Sequence, residues 1–285
     1  MTVPRVSIVI PAYRSASFIR ETIESVLAQT WTDYELVIAD HSSDDDTQAI
    51  MEEFADAPRV RLLPPTPRGG GAQANWNRVS EAAEGEYLKL LPADDLLEPE
   101  ALARQVEALD RYPSAVLVAS HRAMIDADGR VLMPRRGLPS SLLGLNPGAE
   151  AVRTTVRSGT NVFGEPGAVL LRRAALAEAG WWDGRSGYAI DVQTYANVLR
   201  HGDMVGIDAV LSSFRISDQQ WSVRLANSQA SEMAQVFEGF RDAFPATVTG
   251  ADVRRGAAMA WAQAMARRGI YTMLGLRQRL RALRG

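Results

Sequence analysis

The sequence predicts an α/β fold, in which a mainly parallel sheet is flanked by helices and followed by a helical C-terminal extension. Over the first hundred residues, short runs of β-branched and other apolar residues alternate with amphipathic stretches that have the period of a helix. That alternation is typical of a parallel sheet with helices on both faces. After Phe244 the sequence becomes rich in helix formers and arginine.

Four strands are predicted in the first hundred residues. They are Val6 to Ile10, Tyr34 to Ala39, Val60 to Leu63 and Tyr87 to Leu91. Helical patterns lie between them at about 17–28, 45–56 and 73–84. Because such sheets bind ligands beyond the carboxyl ends of their strands, the residues that follow each strand are the first candidates for a functional site.

The rest of the chain continues with both kinds of element. The predicted elements are a helix over Pro99 to Arg111, a strand over Ala115 to Ser120, a hairpin turning at Asp126 to Gly129, a strand over Ala168 to Leu171, and helices over Ala174 to Ala179 and Asp191 to Arg200. The stretch from Pro134 to Pro147 is predicted to be a loop.

Composition excludes several classes of function. The chain has 31 basic and 34 acidic residues and a formal net charge of −3, so it lacks the positive field that a nucleic-acid partner requires. It has no cysteine, which excludes disulfides, thiolate metal sites and cysteine nucleophiles and is typical of a reducing compartment. The segment before the first strand is too short for a signal peptide, and no 18 apolar residues run together, so we expect a cytoplasmic protein.

Two polar segments follow the second and third predicted strands. Asp40 ends the second strand, where an acid can accept hydrogen bonds from a ribose hydroxyl or a base N–H group. The alternative is that the neighbouring residues Ser43, Asp44 or Asp45 cap the next helix. The glycines at 69–71 precede a helix, where exposed N–H groups favour phosphate, although an ordinary surface loop is the alternative.

Two adjacent carboxylates, Asp94 and Asp95, follow the fourth strand. Like charges this close repel each other, and a hard cation shared with the phosphates of a ligand would relieve the repulsion. Oxygen ligands of this kind suit Mg²⁺ or Mn²⁺. A cap before the Pro99 helix would account for Asp95 or Glu98 but leaves Asp94 unexplained.

Four segments taken together resemble family 2 glycosyltransferases, an inverting family with the GT-A fold, a Rossmann-like mainly parallel sheet flanked by helices. The segments are VSIVIPAY (Val6 to Tyr13), SVLAQTWTDYELVIADHSSDDDT (Ser25 to Thr47), ANWNRVSEAAEGEYLKLLPADDLLEP (Ala74 to Pro99) and GEPGAVLLRR (Gly164 to Arg173). The resemblance covers roughly residues 5–222 in the expected order. It implies transfer of a sugar from a nucleoside-diphosphate sugar to a hydroxyl group.

The resemblance also implies roles for individual residues. The implied nucleotide-binding residues are Pro11, Ala12, Tyr13, Asp40, Asn77, Asp94 and Arg215. Asp94 and Asp95 are the implied metal ligands, and Asp191 is the implied catalytic base, which the start of a helix would hold ionised. Glu165 lies in the loop implied to line the acceptor site. Trp181 and Trp182 follow Gly180, near that loop, and are candidates to stack on a sugar, with packing in the core as the alternative.

Two positions depart from the family pattern. Pro92 stands where the first acid of the family's DxD motif is expected, and Ser217 stands where a histidine is common. A catalytically silent nucleotide-binding or scaffold protein of the same fold is therefore an alternative. A sugar nucleotidyltransferase is a weaker one, because Pro11 to Arg14 lacks the glycine-rich loop of that class.

The resemblance divides the chain into a nucleotide-sugar-binding half (1–100), an acceptor-binding half (101–243) and an arginine-rich helical extension (244–285). It predicts a UDP-, dTDP- or GDP-linked donor and a glycan or lipid-linked acceptor of bacterial cell-surface polysaccharide synthesis. From Asp252 onward the chain has eight arginines and one acid. A basic amphipathic helix at the inner face of the plasma membrane is one interpretation of this segment, and packing on the core or on a second subunit is the other.

Overall fold

The computed structural model describes residues 3–216 and 229–265, and their strands form one ten-stranded sheet. Four parallel strands lie in the order β3-β2-β1-β4. They are β1 (Val6–Ala12), β2 (Tyr34–Asp40), β3 (Val60–Leu62) and β4 (Tyr87–Leu90). The connecting helices are α1 (Ile19–Leu27), α2 (Thr47–Glu52) and α3 (Gly71–Glu81). The predicted α/β class is confirmed, and each of these elements lies where the sequence predicts it.

The second half extends the same sheet in the order β4-β9-β6-β10-β5. Its elements are β5 (Leu96–Leu97), α4 (Ala101–Arg111), β6 (Ala115–Ile125), β7 (Val131–Arg136), β8 (Gly144–Asn146), α5 (Gly148–Ser158), β9 (Val169–Arg172), α6 (Arg173–Glu178), α7 (Ile190–Val198), β10 (Asp203–Arg215), α8 (Gln229–Ala243) and α9 (250–265). β6 and β10 run parallel to β4, so their carboxyl ends lie at the same edge as those of β1 and β2.

Several elements of this half, α8 among them, differ from the sequence prediction. The predicted loop over 134–147 contains the end of β7 and the short strand β8, whose Leu145 is exposed and which pairs with β10. β10 is not predicted, because bulges between Ile207 and Ser212 interrupt its alternation of inward and outward residues. α5 is also absent from the prediction, although it packs Val152 and Val156 into the core.

Alternate residues of each central strand face opposite layers of helices. In β1, Ile8 and Ile10 pack with α1, α2 and α4, whereas Val9 packs on the other face with α3, α5, α7, α8 and α9. Burial on both faces explains the near-continuous apolar runs of β1 and β2. No helix within 3–216 and 229–265 combines the length and hydropathy needed to span a bilayer.

Gly85, just before β4, supports a stability prediction. A Cβ atom at this position would lie 2.6 Å from the Ser7 backbone nitrogen of β1, a fixed neighbour. We expect Gly85→Ala to lower the free energy of unfolding by about 1–3 kcal/mol, because the strand must shift. Urea denaturation measures the change.

Gly239→Ala is the matched control. Gly239 lies exposed in α8, and its Cβ would meet nothing within 4 Å. Alanine should therefore stabilise the helix there by about 0.4–1 kcal/mol. Equal destabilisation by both substitutions would contradict the close approach at Gly85.

Candidate active site

A cavity of about 870 Å³ opens at the edge where the parallel strands have their carboxyl ends. Its lining comes from residues that follow β1, β2 and β4 and from the ends of β6 and β10. Five predicted site residues line it, namely Pro11, Tyr13, Asp94, Glu165 and Asp191. The others do not, namely Ala12, Asp40, Asn77, Asp95, Trp181, Trp182 and Arg215.

An aromatic pair forms the cavity wall next to β1 and β2. The Tyr13 ring is 50% exposed and meets the His41 ring edge to face, with 5.9 Å between centroids. His41 Nε2 lies 3.0 Å from the carbonyl oxygens of Pro67 and Gly69, which fixes the imidazole. The exposed ring of Tyr13 offers a flat apolar surface of the kind on which a base stacks.

Asp40 and Ala12 lie behind this wall, and their contact with a nucleotide stays a prediction. Asp40 is buried, and its two carboxylate oxygens accept the Ser43 backbone N–H (2.8 Å) and the Ser43 hydroxyl (2.5 Å). These two hydrogen bonds shape the turn that presents His41. Ala12 is also buried, and its carbonyl accepts the His41 N–H at 2.9 Å.

The glycine-rich segment meets the cavity at the start of α3. Gly69, Gly70 and Gly71 have φ of 102°, 73° and 61°, a left-handed conformation that favours glycine. Arg68, Gly69 and Gly71 line the cavity, so a cationic side chain and flexible backbone face it together. This placement suits a phosphate group.

Asn77 lies outside the cavity lining and holds a loop, and its contact with the nucleotide stays a prediction. Its Oδ1 accepts the Trp182 N–H at 2.8 Å, and its Nδ2 donates to the Trp182 carbonyl at 3.4 Å. Asn75 is the residue of this segment that serves the cavity. Its buried Nδ2 donates to the carbonyls of Ala12 (3.2 Å) and Ala39 (3.1 Å), which ties the ends of β1 and β2 together.

The two tryptophans after Gly180 pack in the protein, so the packing interpretation is correct and stacking on a sugar is not. Trp182 is 1% exposed, its Nε1 donates to Ser80 Oγ at 2.8 Å, and its ring meets that of Trp76 at 5.1 Å. Trp181, with φ of 65°, is half-buried against the same core.

Asp94 and Asp95 have different surroundings. Asp94 lines the cavity, whereas Asp95 is buried and its Oδ1 accepts the Arg215 N–H at 3.0 Å. Burial, reinforced by the negative charge of Asp94, raises the pKa of Asp95 well above its usual range. The structure therefore leaves Asp94 as the candidate metal ligand and gives Asp95 a supporting position behind it.

Arg215 is enclosed by protein, and its contact with phosphate stays a prediction. Its Nε donates to the Asp94 carbonyl at 2.9 Å, and its Nη2 donates to Glu21 at 2.6 Å. The guanidinium lies 4.7 Å from the centre of the Phe18 ring. It fixes the backbone that carries Asp94. The predicted departure at Ser217, with the segment to 222, lies outside the described residues.

Glu165 enters the cavity on the side opposite Tyr13 and pairs with Arg122, a residue the sequence analysis missed. The Glu165 Oε1 accepts Arg122 Nη2 at 2.9 Å, and the guanidinium of Arg122 is buried. Behind Glu165, the buried Lys89 donates to the carbonyls of Gly167 and Val169 at 2.9 Å each. Burial lowers the pKa of Lys89 to about 7.

Asp191 is half-buried near the start of α7 and faces the cavity. Its Oδ1 accepts the Val192 N–H at 2.7 Å, and its Oδ2 accepts Asn161 Nδ2 at 2.8 Å. Burial raises the pKa of Asp191 to about 7, and the negative charge of Glu165 adds to the rise. The two hydrogen bonds act in the opposite direction and lower the pKa. The predicted effect of the helix start is therefore outweighed, and the carboxyl group titrates near neutrality.

Asn161 orients this carboxyl group and was also missed. Its Oδ1 accepts the N–H groups of Phe163 (3.0 Å) and Gly164 (3.2 Å), and its Nδ2 also donates to the Gly164 carbonyl. The amide therefore links Asp191 to the loop that carries Glu165. Its only sequence signal is its position just before the Gly164 to Pro166 segment.

Comparison with known proteins places this geometry in a family. The family described as "Glycosyl transferase family 2" matches residues 7–180. The chain is 37% identical to the chondroitin synthase of Escherichia coli over 131 residues, which are 46% of this chain and 19% of that protein. It is 36% identical to the succinoglycan biosynthesis protein ExoO of Rhizobium meliloti over 130 residues, 46% of this chain and 36% of that protein. The matched regions thus span well under half of these relatives.

Solved structures share the fold at lower identity. S. aureus TarS 1-349 in complex with UDP-GlcNAc matches with a TM-score of 0.69 and 16% identity, over 90% of this chain and 71% of that one. The mannosyltransferase PcManGT from Pyrobaculum calidifontis, in complex with GDP-Man and Mn²⁺, matches with a TM-score of 0.62 and 18% identity, over 97% and 81%. These similarities confirm the predicted GT-A fold.

The Asn77 contact yields a prediction that separates the two roles considered for this residue. Asn77→Ala removes the acceptor of the buried Trp182 N–H, so we expect the free energy of unfolding to fall by about 1–3 kcal/mol. Gln73→Ala is the matched control, because the Trp182 carbonyl then keeps its bond from Asn77. Urea denaturation and nucleotide titration measure the outcome. Unchanged stability with weaker nucleotide binding would restore the ligand-contact role.

Proposed function

The chain belongs to glycosyl transferase family 2, and we propose that it moves a sugar from a nucleoside-diphosphate sugar to a hydroxyl group of a glycan or lipid-linked acceptor, with inversion at the anomeric carbon. One observation carries the proposal. A single cavity brings together an exposed aromatic ring (Tyr13), a carboxylate beyond β4 (Asp94) and a carboxyl group with a pKa near 7 (Asp191). The ring of Tyr13 suits stacking of the nucleotide base, and Asp94 suits a cation that binds the diphosphate. Asp191 suits removal of the proton of the acceptor hydroxyl.

Asp191 is the group proposed to remove that proton. The acceptor oxygen forms a bond to the anomeric carbon as the bond to the diphosphate oxygen breaks. The acceptor's proton passes to an oxygen of Asp191, and the electron pair leaves with the nucleoside diphosphate. A base contributes most when its pKa lies close to the working pH. The raised pKa of Asp191 meets that condition, and Asn161 directs the carboxyl group.

The donor side supplies positive charge for the diphosphate. Arg14 and Arg68 line the cavity beside Tyr13, and Arg14 is held in place by Asp44, with Nε to Oδ1 at 2.7 Å. UDP-, dTDP- and GDP-linked sugars all present the diphosphate that such a wall would bind. We assign donor binding to residues 1–100 and acceptor binding to 101–243.

A divalent cation, Mn²⁺ or Mg²⁺, fits Asp94. Within 3–216 and 229–265 no three acidic or histidine side chains gather to hold a metal by themselves. In enzymes that act on phosphates, Mg²⁺ is bound by one or two protein carboxylates, and its remaining ligands are phosphates and water. Asp94 offers one such carboxylate. When bound, the cation would neutralise charge on the leaving diphosphate.

Glu165 is the proposed acceptor-binding residue. It lines the same cavity as Asp191, and its negative charge adds to the rise in the pKa of Asp191. Its pairing with the buried Arg122 fixes the carboxylate so that it can accept a hydrogen bond from a sugar hydroxyl. The similarity to a chondroitin synthase and to a succinoglycan biosynthesis protein supports a role in bacterial cell-surface polysaccharide synthesis, which we place at the cytoplasmic side of the membrane.

A transfer assay tests the proposed function. Wild-type protein is incubated with UDP-, dTDP- and GDP-linked sugars and Mn²⁺, and release of the nucleoside diphosphate is measured. We expect Asp191→Asn to lower kcat by about 10²–10⁴-fold, because base catalysis is lost, and Asp94→Asn to lower both donor binding and turnover. Asp128→Asn on the exposed hairpin turn is the matched control and should retain activity.

Two outcomes would contradict the proposal. Full activity of Asp191→Asn would remove this residue from the reaction. Nucleotide binding by the wild type without turnover of any donor would favour the silent binding protein, for which Pro92 in the cavity wall is the supporting observation.

The pH dependence of kcat/KM tests the base directly. Asp191 must be ionised to accept a proton, so kcat/KM should be low below pH 6 and rise tenfold per pH unit up to an apparent pKa of about 7. Asn161→Ala removes a hydrogen bond that favours the ionised form, so its profile should shift to higher pH. A profile that is flat, or that rises only near pH 4, would contradict a base with a pKa near 7.

A further inference from the structure

One face of α9 exposes large apolar side chains. Trp261 is 54% exposed, Met265 is 69% exposed and Met259 is 41% exposed. Arg254 lies about two turns before Trp261 on the same side of the helix, whereas Arg255 and Met259 are exposed on the neighbouring side, toward α5. We call these five residues the α9 face. Apolar groups grouped on one surface are uncommon without a partner.

The opposite side of α9 is packed tightly on the protein, so the α9 face has a fixed direction. Val253, Ala260 and Ala264 are buried there. A Cβ atom on Gly159, at the end of α5, would lie 2.6 Å from the Ala260 backbone nitrogen and 2.6 Å from Met259 Cβ. Gln263 Nε2 donates to the Ser158 carbonyl at 2.8 Å. Trp261 and Met265 therefore project from a rigid helix and cannot turn inward.

The surroundings of the α9 face are basic. A groove of about 500 Å³ between α5 and α9 is lined by Arg153, Arg157 and Arg255 together with Met259. Arg153 and Arg157 share the buried Asp252, at 3.1 and 3.6 Å. Arg254 and Arg255 have no acidic partner within 3–216 and 229–265. Beyond 265 the sequence contains six more arginines and no acid.

The groove and the cavity meet at the end of α5. Ser158 lines the groove, and the next residues, Gly159, Thr160 and Asn161, line the cavity. Asn161 holds Asp191. A surface bound by the α9 face would therefore lie next to the acceptor end of the cavity.

We propose that the α9 face docks on an anionic lipid bilayer, with Trp261 and Met265 at the headgroup boundary and the arginines against lipid phosphates. Tryptophan favours this boundary, and arginines near an anionic leaflet add attraction. Docking brings the acceptor end of the cavity to the membrane, where a lipid-linked sugar is found. That consequence rests on the proposed function, whereas the docking itself does not.

Vesicle flotation of the full chain tests the docking. The protein is floated with vesicles of phosphatidylcholine alone, or with about 30% phosphatidylglycerol as a strongly anionic surface. We expect binding to the anionic vesicles only. Trp261→Ala with Met265→Ser, and Arg254→Glu with Arg255→Glu, should each weaken it about tenfold or more, since each arginine near the surface is worth about fivefold. Val131→Ser with Leu132→Ser, on the exposed strand β7, is the matched control and should float like the wild type.

Three outcomes would overturn the proposal. Equal binding to both kinds of vesicle removes the role of charge, and wild-type binding by the α9 variants assigns binding to another surface. If the protein is a dimer that the Trp261 and Met265 substitutions dissociate, and vesicle binding is unaltered, then a second copy of the chain occupies the α9 face. The flotation assay contains no donor and no acceptor, so it tests docking alone. The transferase proposal is tested separately, by release of the nucleoside diphosphate.

Discussion

The burial of carboxyl groups around the guanidinium of Arg122 is the interaction on which the active site depends. Glu165 pairs with this guanidinium directly, and the positive charge of Arg122 opposes the rise in pKa of both Asp95 and Asp191. In a medium of low polarity, several unpaired negative charges would not all ionise. Burial raises the pKa of Asp95 and of Asp191, and the charge of Arg122 limits both rises.

Buried polar side chains hold the backbone of the site in place. Segments that follow strands leave the sheet, so their carbonyl groups need partners from elsewhere. Asn75 supplies them for the ends of β1 and β2, and Lys89 supplies them for Gly167 and Val169. Both side chains are buried. They fix the walls from which Tyr13 and Glu165 extend, which explains polar residues inside otherwise apolar elements.

Sequence reasoning succeeded where a pattern has one physical meaning and failed where neighbours decide the outcome. The strands β1 and β2 are nearly continuous apolar runs, which burial on both faces explains, and Asp94 and Asp191 line the cavity. Asp40, Asn77 and Arg215 have the chemistry of ligand-binding groups, yet local partners use their hydrogen bonds. No sequence pattern shows that Ser43 or Trp182 is such a partner. The same holds for β10, whose bulges remove the alternation that would have revealed it.

Lys89 is the only lysine of the chain, and its amine is wholly enclosed by the sheet. Reagents that acylate side-chain amines thus find no target on the folded surface. When the sheet opens, the amine meets water and its pKa returns to the ordinary range of a lysine, so acylation proceeds only from the opened state. The rate at which Lys89 is acylated therefore reports how often the centre of the sheet opens.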